Sequence, residues 1–240
     1  MWLTFDNFKW VFWIAVIPAF LAFGLMVIAV NEPVHSDGTR PVRTPLSRRQ
    51  LSNLGARYWW VVVIGAIFTL ARFSEAFLVL RAQTIGLPLM LVPIVLVVMN
   101  VAYALASYPA GVVSDRGNRP TILFFGLLVL LLADLILSFA SGGVAVLIGV
   151  LLWGAHMGLT QGLFAALVAD AALPELRGTA YGVFNLVTGI MLLVASVIAG
   201  ILWDLTGPKG TFLAGAAFAA LACIGLVPIR GPFASRDMAH

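Results

Sequence analysis

Long apolar runs separated by short polar stretches dominate the chain. Each run has about the length, roughly 20 residues, that a helix needs to cross the hydrocarbon core of a bilayer. The runs do not alternate polar and apolar positions over about ten residues, as strands of a membrane β-barrel do. The pattern therefore predicts an all-α integral membrane protein with seven transmembrane helices. The seven runs cover residues 11–30, 59–80, 88–112, 120–140, 143–168, 179–203 and 211–228.

The composition agrees with this prediction. Of the 240 residues, 62% are hydrophobic and only 10% are charged, whereas soluble domains carry about 25% charged residues. The mean hydropathy is +1.05. The first run has no small-residue cleavage site after it, so we interpret it as a membrane span rather than a signal peptide. The lipid bilayer is the expected environment.

The basic residues are distributed unevenly among the connections between the runs. Ten of the fourteen lysines and arginines fall after the first, third, fifth and seventh runs, and three fall on the other side. Cytoplasmic loops carry the excess of such residues. We therefore expect a multi-pass protein of the inner (plasma) membrane, with its N-terminus outside and its C-terminus in the cytoplasm. Because topology accounts for the net charge of +4, no nucleic-acid partner is expected.

Connection lengths predict the domain organisation. One long polar stretch, with three prolines and five arginines, follows the first run. The other connections are short, which favours antiparallel packing of consecutive helices. The predicted organisation is a first membrane helix in residues 1–30, a cytoplasmic linker in 31–57, a six-helix unit in 58–229 and a cytoplasmic tail in 230–240.

A short motif, G-x3-D-x2-[N/G], occurs twice, 89 residues apart. Each copy lies between the second and third helices of a group of three. The predicted topology places the two copies on opposite sides of the membrane, as expected for inverted repeats. The alternative interpretation is two unrelated polar turns with helix caps. The copies begin GVVSDRGN at residue 111 and GILWDLTG at residue 200.

The first copy resembles the cytoplasmic loop motif of the major facilitator superfamily of transporters, G-x-x-x-D-R-x-G-R-[K/R]. Asn118 and Pro120 depart from it, since the family has a glycine and a second basic residue there. Residues 70–82, LARFSEAFLVLRA, resemble the family's seventh helix, and residues 173–185, LPELRGTAYGVFN, its entry to the eleventh. The residues that match the loop motif, and form the expected cytoplasmic gating motif, are Gly111, Asp115, Arg116 and Arg119.

This resemblance implies a carrier that works by alternating access, with the seven runs equivalent to helices six to twelve. It implies that six of them form a 3+3 inverted-repeat half, and that the motif latches onto the other half of the carrier. We therefore expect the C-terminal part of a larger or dimeric carrier, with proton-coupled transport of a small solute. The expected partner is an N-terminal half or a second protomer. The alternative is a non-transporting fragment, or a half-subunit that assembles with another membrane protein.

Polar side chains within the runs are the candidate transport residues. A charge at the centre of a bilayer costs at least about 2.5–3.5 kcal/mol, so such residues are functional candidates. Arg72 and Glu75 are three residues apart and would share one face of a helix. They could form an internal ion pair that neutralises itself, or a pair that contacts a solute or is linked to a proton. His156 could carry a proton or form a hydrogen bond between helices. The candidates for the transport pathway or for coupling are Arg72, Glu75, Asp134, His156, Gln161 and Asn185.

Other function classes lack the residues that they need. A retinal protein requires a lysine within a span, and Lys9 and Lys209 both lie outside the runs. Cys223 is the single cysteine, and His156 is the single histidine within a run. Metal and haem sites usually need clustered ligands. We therefore expect no metal, no cofactor, no catalytic residues and no enzymatic activity.

Overall fold

The computed structural model describes residues 54–88, 91–116 and 119–227, together with Leu51 and some positions between 13 and 25. The chain divides into two compact units, Met1–Pro45 and Leu46–His240, and the fold below is that of the second. Three of the predicted parts fall outside the continuously described ranges: the first membrane helix, the linker except for its end, and the tail. So do the side chains of Asp115 and Arg116.

The described part of the second unit is helical, without a strand. Five stretches are long and apolar enough to cross a membrane, which confirms the predicted all-α class. The elements are α1 (Ala56–Ala71), α2 (Ala76–Thr84), α3 (Val92–Arg116), α4 (Arg119–Phe139), α5 (Gly143–Ala171) and α6 (Arg177–Leu226), with a 3-10 turn at Pro174–Leu176 before α6.

Helix α6 consists of two helices joined at Gly207. Its 50 residues would span about 75 Å as one straight helix, more than twice the thickness of the hydrocarbon core. Gly207 leaves the helical conformation, with φ 70° and ψ −168°, and Pro208 follows it. We call residues 177–206 the first arm and residues 208–226 the second arm. The two arms correspond to the sixth and seventh predicted runs, so the described chain contains six segments of membrane-crossing length.

The second predicted run is interrupted. Helix α1 ends at Ala71, Arg72 has φ −110° and ψ 73°, and α2 begins at Ala76. The buried ring of Phe73 lies within the interruption. The expectation that Arg72 and Glu75 share one face of a continuous helix is therefore wrong, because the backbone between them is not helical.

Helix α5 lies at the centre of the packing, with α3 on one side and α4 on another, while α6 packs against α1 and α4. The glycines of α5 permit the close approach of α3. A Cβ atom on Gly154 would overlap the Met99 carbonyl oxygen, and one on Gly158 would lie 2.7 Å from the Tyr103 carbonyl oxygen. Gly162, one turn further on, faces open space.

Polar contacts mark the two ends of this bundle. At the end where α4 begins, Arg119 forms an ion pair with Asp170 near the end of α5. At the end where α4 stops, Ser138 Oγ donates a hydrogen bond to the Lys209 carbonyl oxygen at 3.0 Å. The first motif copy precedes Arg119 and the second precedes Lys209. The copies thus lie at opposite ends of the bundle, in agreement with an inverted repeat.

Candidate functional site

The interruption between α1 and α2 brings charged groups into the interior of the bundle. Arg72 and Glu75 are both half-buried. The positive charge of Arg72 interacts with Glu75 and Tyr103, and it also acts on His156 of α5. The side chains of Arg72 and Glu75 do not form a direct ion pair in the described structure, since no nitrogen of Arg72 lies within 4.0 Å of a carboxylate oxygen of Glu75. We call Arg72, Glu75, Tyr103 and His156 the charge cluster.

His156 occupies an aromatic pocket beside Arg72. Its side chain is fully buried, and its ring centroid lies 4.9 Å from that of Trp153 and 6.4 Å from that of Phe68. Neither ring nitrogen, however, has a partner of hydrogen-bond geometry in the described part of the chain. The interhelical hydrogen bond considered for His156 is therefore not seen among these residues.

A groove of about 370 Å³ lies between α3 and α5 and extends to the beginning of α4. On the α5 side, Gly158, Gly162 and the exposed side chain of Gln161 line it. Gly158 lets α3 come close to α5 at one end of the groove, whereas Gly162 leaves open space beside it. The remaining lining residues are Tyr103, Ser107, Ala110, Gly111, Ser114, Arg119, Leu159, Leu163 and Ala166.

Polar side chains follow one face of α3 along this groove. Tyr103 and Ser107 are four residues apart, and Ser114 comes two turns later, so the three share a face. Asn100 lies one turn before Tyr103 and is exposed. We call Asn100, Tyr103, Ser107 and Ser114 the α3 polar stripe. Tyr103 lines the groove and is close enough to Arg72 for their charges to interact. We call the charge cluster and the groove together the polar track.

Comparison with known proteins identifies the chain's relatives. The family model of the Major Facilitator Superfamily matches residues 1–196 and 82–237. The chain belongs to the major facilitator superfamily. An uncharacterized MFS-type transporter of Methanocaldococcus jannaschii is 30% identical over 221 residues, which cover 90% of this chain and 54% of that relative. Uncharacterized proteins of Mycobacterium bovis and Mycobacterium tuberculosis are 28% identical over 154 residues, or 64% of this chain and 37% of theirs.

The chain thus spans about half the length of the Methanocaldococcus jannaschii relative, and a smaller share of the length of the mycobacterial relatives. Family membership and the apolar helices make it a multi-pass membrane protein. Its loop motif is only partly described. Gly111 lines the groove, Arg119 pairs with Asp170, and the side chains of Asp115 and Arg116 lie outside the described part. The predicted latch therefore stays a prediction.

The structure separates the six residues that the sequence proposed for the pathway. Arg72, Glu75 and His156 come together in the charge cluster, and Gln161 lies in the groove. Asp134 and Asn185 lie elsewhere. Asp134 is fully buried in α4, where its Oδ1 accepts a hydrogen bond from Trp153 of α5 at 3.2 Å. Asn185 is exposed on the first arm of α6 and does not line the groove.

Sequence reasoning missed Tyr103, Ser107 and Asp170. The spacing of Asn100, Tyr103 and Ser107, three and four residues apart, contained a usable signal for the first two. A polar stripe on an otherwise apolar membrane helix indicates a face that avoids lipid. Asp170 gave no such signal, because a single acidic residue at a helix end is common.

Proposed function

We propose that this chain is the C-terminal part of a larger carrier, or one protomer of a dimeric carrier, and moves a small solute across the membrane by alternating access. The observation that carries the proposal is the polar track, in which Tyr103 lies both on the groove of Gln161 and near Arg72 of the charge cluster. A transporter without enzymatic activity is part of the same proposal, supported by membership of a transporter family.

The exposure of the track supports a pathway shared with another protein surface. Asn100 and Gln161 are exposed on helices whose length and composition suit a membrane. Asn100 Nδ2 donates a hydrogen bond to the Leu96 carbonyl oxygen at 2.8 Å. Hydrocarbon cannot satisfy the remaining polar groups of the two side chains, so these need water or protein beside them. A second half facing α3 and α5 would supply the other wall. That the chain covers 54% of its relative is consistent with a carrier made of two such parts.

The interruption at residues 72–75 supports a solute site at the charge cluster. Discontinuous helices in transporters expose backbone groups near the bilayer midplane, where solutes and coupling ions bind. Here the interruption places Arg72 beside Tyr103 and His156, which belong to two other helices. A solute that contacted this cluster would touch three elements at once, so its binding would respond to their movement.

Proton coupling is part of the proposal. Glu75 and His156 each have a side chain that can take up or release a proton, and both interact with the fixed charge of Arg72. A proton gained or lost at either residue would change the net charge around Arg72. The affinity of the cluster for a charged or polar solute would change with it.

Site-directed labelling of the complete carrier tests the pathway. In a Cys223→Ala background, Ser107→Cys and Gln161→Cys should react with a membrane-impermeant maleimide, because thiols must be hydrated to ionise and react. Leu105→Cys is the matched control, since Leu105 is 72% exposed but two residues from Ser107 and so on another face of α3. Equal labelling of Ser107→Cys and Leu105→Cys would contradict a water-filled groove.

Transport is measured separately in proteoliposomes that contain the complete carrier and a pH-sensitive dye. Amino acids, sugars, nucleosides, organic acids and cationic dyes are added singly, and proton movement is followed. We expect one class to move protons, and we expect Arg72→Ala and Glu75→Gln to abolish this movement while the proteins are still inserted. Unchanged flux in both variants would remove the charge cluster from the pathway.

A further inference from the structure

Asp134 lies buried where α4, α5 and the second arm of α6 meet. Its side chain is 0% exposed. One oxygen, Oδ1, accepts a hydrogen bond from the indole Nε1 of Trp153 at 3.2 Å. The other, Oδ2, has no hydrogen-bond partner in the described part of the chain. A Cβ atom on Gly215 would lie 2.6 Å from Oδ2, so the second arm packs directly against the carboxyl group.

The other walls of this junction are aromatic. The Phe73 ring centroid lies 6.4 Å from that of Trp153 and 5.4 Å from that of Phe212. The ring centroid of His156 lies 4.9 Å from that of Trp153. Asp134 is therefore surrounded by apolar side chains, with one neutral donor facing it.

The cations of the neighbouring elements are engaged with other groups. Arg81 of α2 donates hydrogen bonds to the carbonyl oxygens of Leu137 and Ala140. Lys209, at the start of the second arm, has its Nζ 5.0 Å from the centroid of the Phe139 ring. Neither forms an ion pair with Asp134 in the described structure.

The two charged residues of the interruption between α1 and α2 do not neutralise Asp134 either. Arg72 and Glu75 belong to the charge cluster around His156, and neither forms an ion pair or a hydrogen bond with Asp134 in the described part of the chain. An ionised Asp134 would thus be a buried charge with a single neutral hydrogen bond, which is strongly unfavourable. A proton on Oδ2 removes that charge and leaves Oδ1 free to accept the Trp153 hydrogen bond.

We propose that Asp134 is a proton-binding site of this carrier half, and that its protonated side chain holds α4 against the second arm of α6. In the binding step, a hydronium ion transfers a proton to Oδ2 and becomes water. In the release step, a water molecule takes the proton back, and no electron is transferred in either direction. Loss of the proton places a charge against Gly215 and Phe73. Water must then enter to solvate this charge, which separates the second arm from α4. The use of this proton in transport rests on the proposed function, whereas the site itself does not.

Infrared spectroscopy of the complete protein in lipid tests the site directly. We expect a carboxylic acid C=O band at neutral pH that shifts in deuterium oxide and is absent from Asp134→Asn. Trp153→Phe should keep the band but displace it, because the hydrogen bond to Oδ1 is lost. Glu75→Gln is the matched control and should leave the Asp134 band in place. If Asp134→Asn instead removes only a carboxylate band, the proposal is overturned.

A transport measurement separates this proposal from the proposed function. Asp134→Asn mimics the neutral side chain, so it should still exchange solute across proteoliposomes but no longer accumulate solute in response to a pH gradient. Unchanged accumulation in a correctly folded Asp134→Asn protein would overturn a role in coupling. If no solute moves even in the wild type while the infrared band depends on Asp134, the proton site stands and the proposed function fails.

Discussion

Arg81 Nε donates a hydrogen bond to the Leu137 carbonyl oxygen at 2.8 Å. The same guanidinium donates to the Ala140 carbonyl oxygen through Nη2, and the side chain is only 8% exposed. The last carbonyl groups of a helix lack partners within the helix and carry partial negative charge. One arginine of α2 therefore caps the end of α4. This contact fixes α2 after the interruption at residues 72–75.

Removal of this cap is expected to destabilise the bundle. Arg81→Met keeps most of the apolar length but leaves buried carbonyl groups unsatisfied, which costs about 1–3 kcal/mol. Arg81→Lys should be intermediate, because an ammonium group lacks the planar fork that reaches two acceptors. Thermal unfolding in detergent, followed by circular dichroism, measures the effect. The control is Gln83→Met on the exposed side of α2. Equal stability of Arg81→Met and the wild type would show that the cap contributes nothing.

The ion pair between Arg119 and Asp170 is expected to contribute little to stability. The two side chains are 31% and 42% exposed, and exposed pairs typically contribute about 0.2–1 kcal/mol. A double-mutant cycle with Arg119→Ala and Asp170→Ala should give a coupling energy within this range, decreasing as salt is added. The charge-swapped protein, with Arg119→Asp and Asp170→Arg, should recover part of it. A coupling of several kcal/mol would indicate a pair far more buried than the structure shows.

Substitution by alanine at two glycines of α5 should have different effects on the free energy of unfolding. Gly154→Ala places a methyl group on the Met99 carbonyl oxygen, which forces α3 away from α5 and should cost about 1–3 kcal/mol. Gly162→Ala meets nothing within 4 Å. It should be neutral or stabilising by up to about 1 kcal/mol, because alanine favours the helix. Unfolding of both variants in one detergent gives the comparison, and equal destabilisation would contradict the close approach of α3 at Gly154.

The sequence was sufficient to predict the six crossing segments of the described chain, since runs of this length and hydropathy have no alternative fold in a bilayer. It was not sufficient for the interruption at residues 72–75. Arg72, Phe73, Ser74 and Glu75 include neither glycine nor proline, so nothing local ends the helix. The burial of Phe73 against Trp153 and Phe212 depends on contacts with α5 and α6, which are distant in the sequence.

The candidate site, like the fold, could be predicted only in part from the sequence. Polarity within an apolar run identified Arg72, Glu75, His156 and Gln161, and the structure connects them through one polar track. The environment of Asp134 could not be predicted, because Trp153 and Gly215 surround it from two other helices. Residue type thus identifies a candidate, whereas the packing of helices decides whether it meets a solute, a neighbouring helix or a proton.

Gly207 is the residue of the second motif copy whose backbone requires glycine. Its φ of 70° and ψ of −168° fall in a region that only glycine occupies readily, and other residues there cost about 1–3 kcal/mol. Gly207→Ala should lower stability by this amount, although its Cβ atom would meet nothing within 4 Å. Gly200→Ala is the matched control, because Gly200 is helical and equally unobstructed. If both variants unfold at the wild-type temperature, the turn between the two arms does not depend on the glycine conformation.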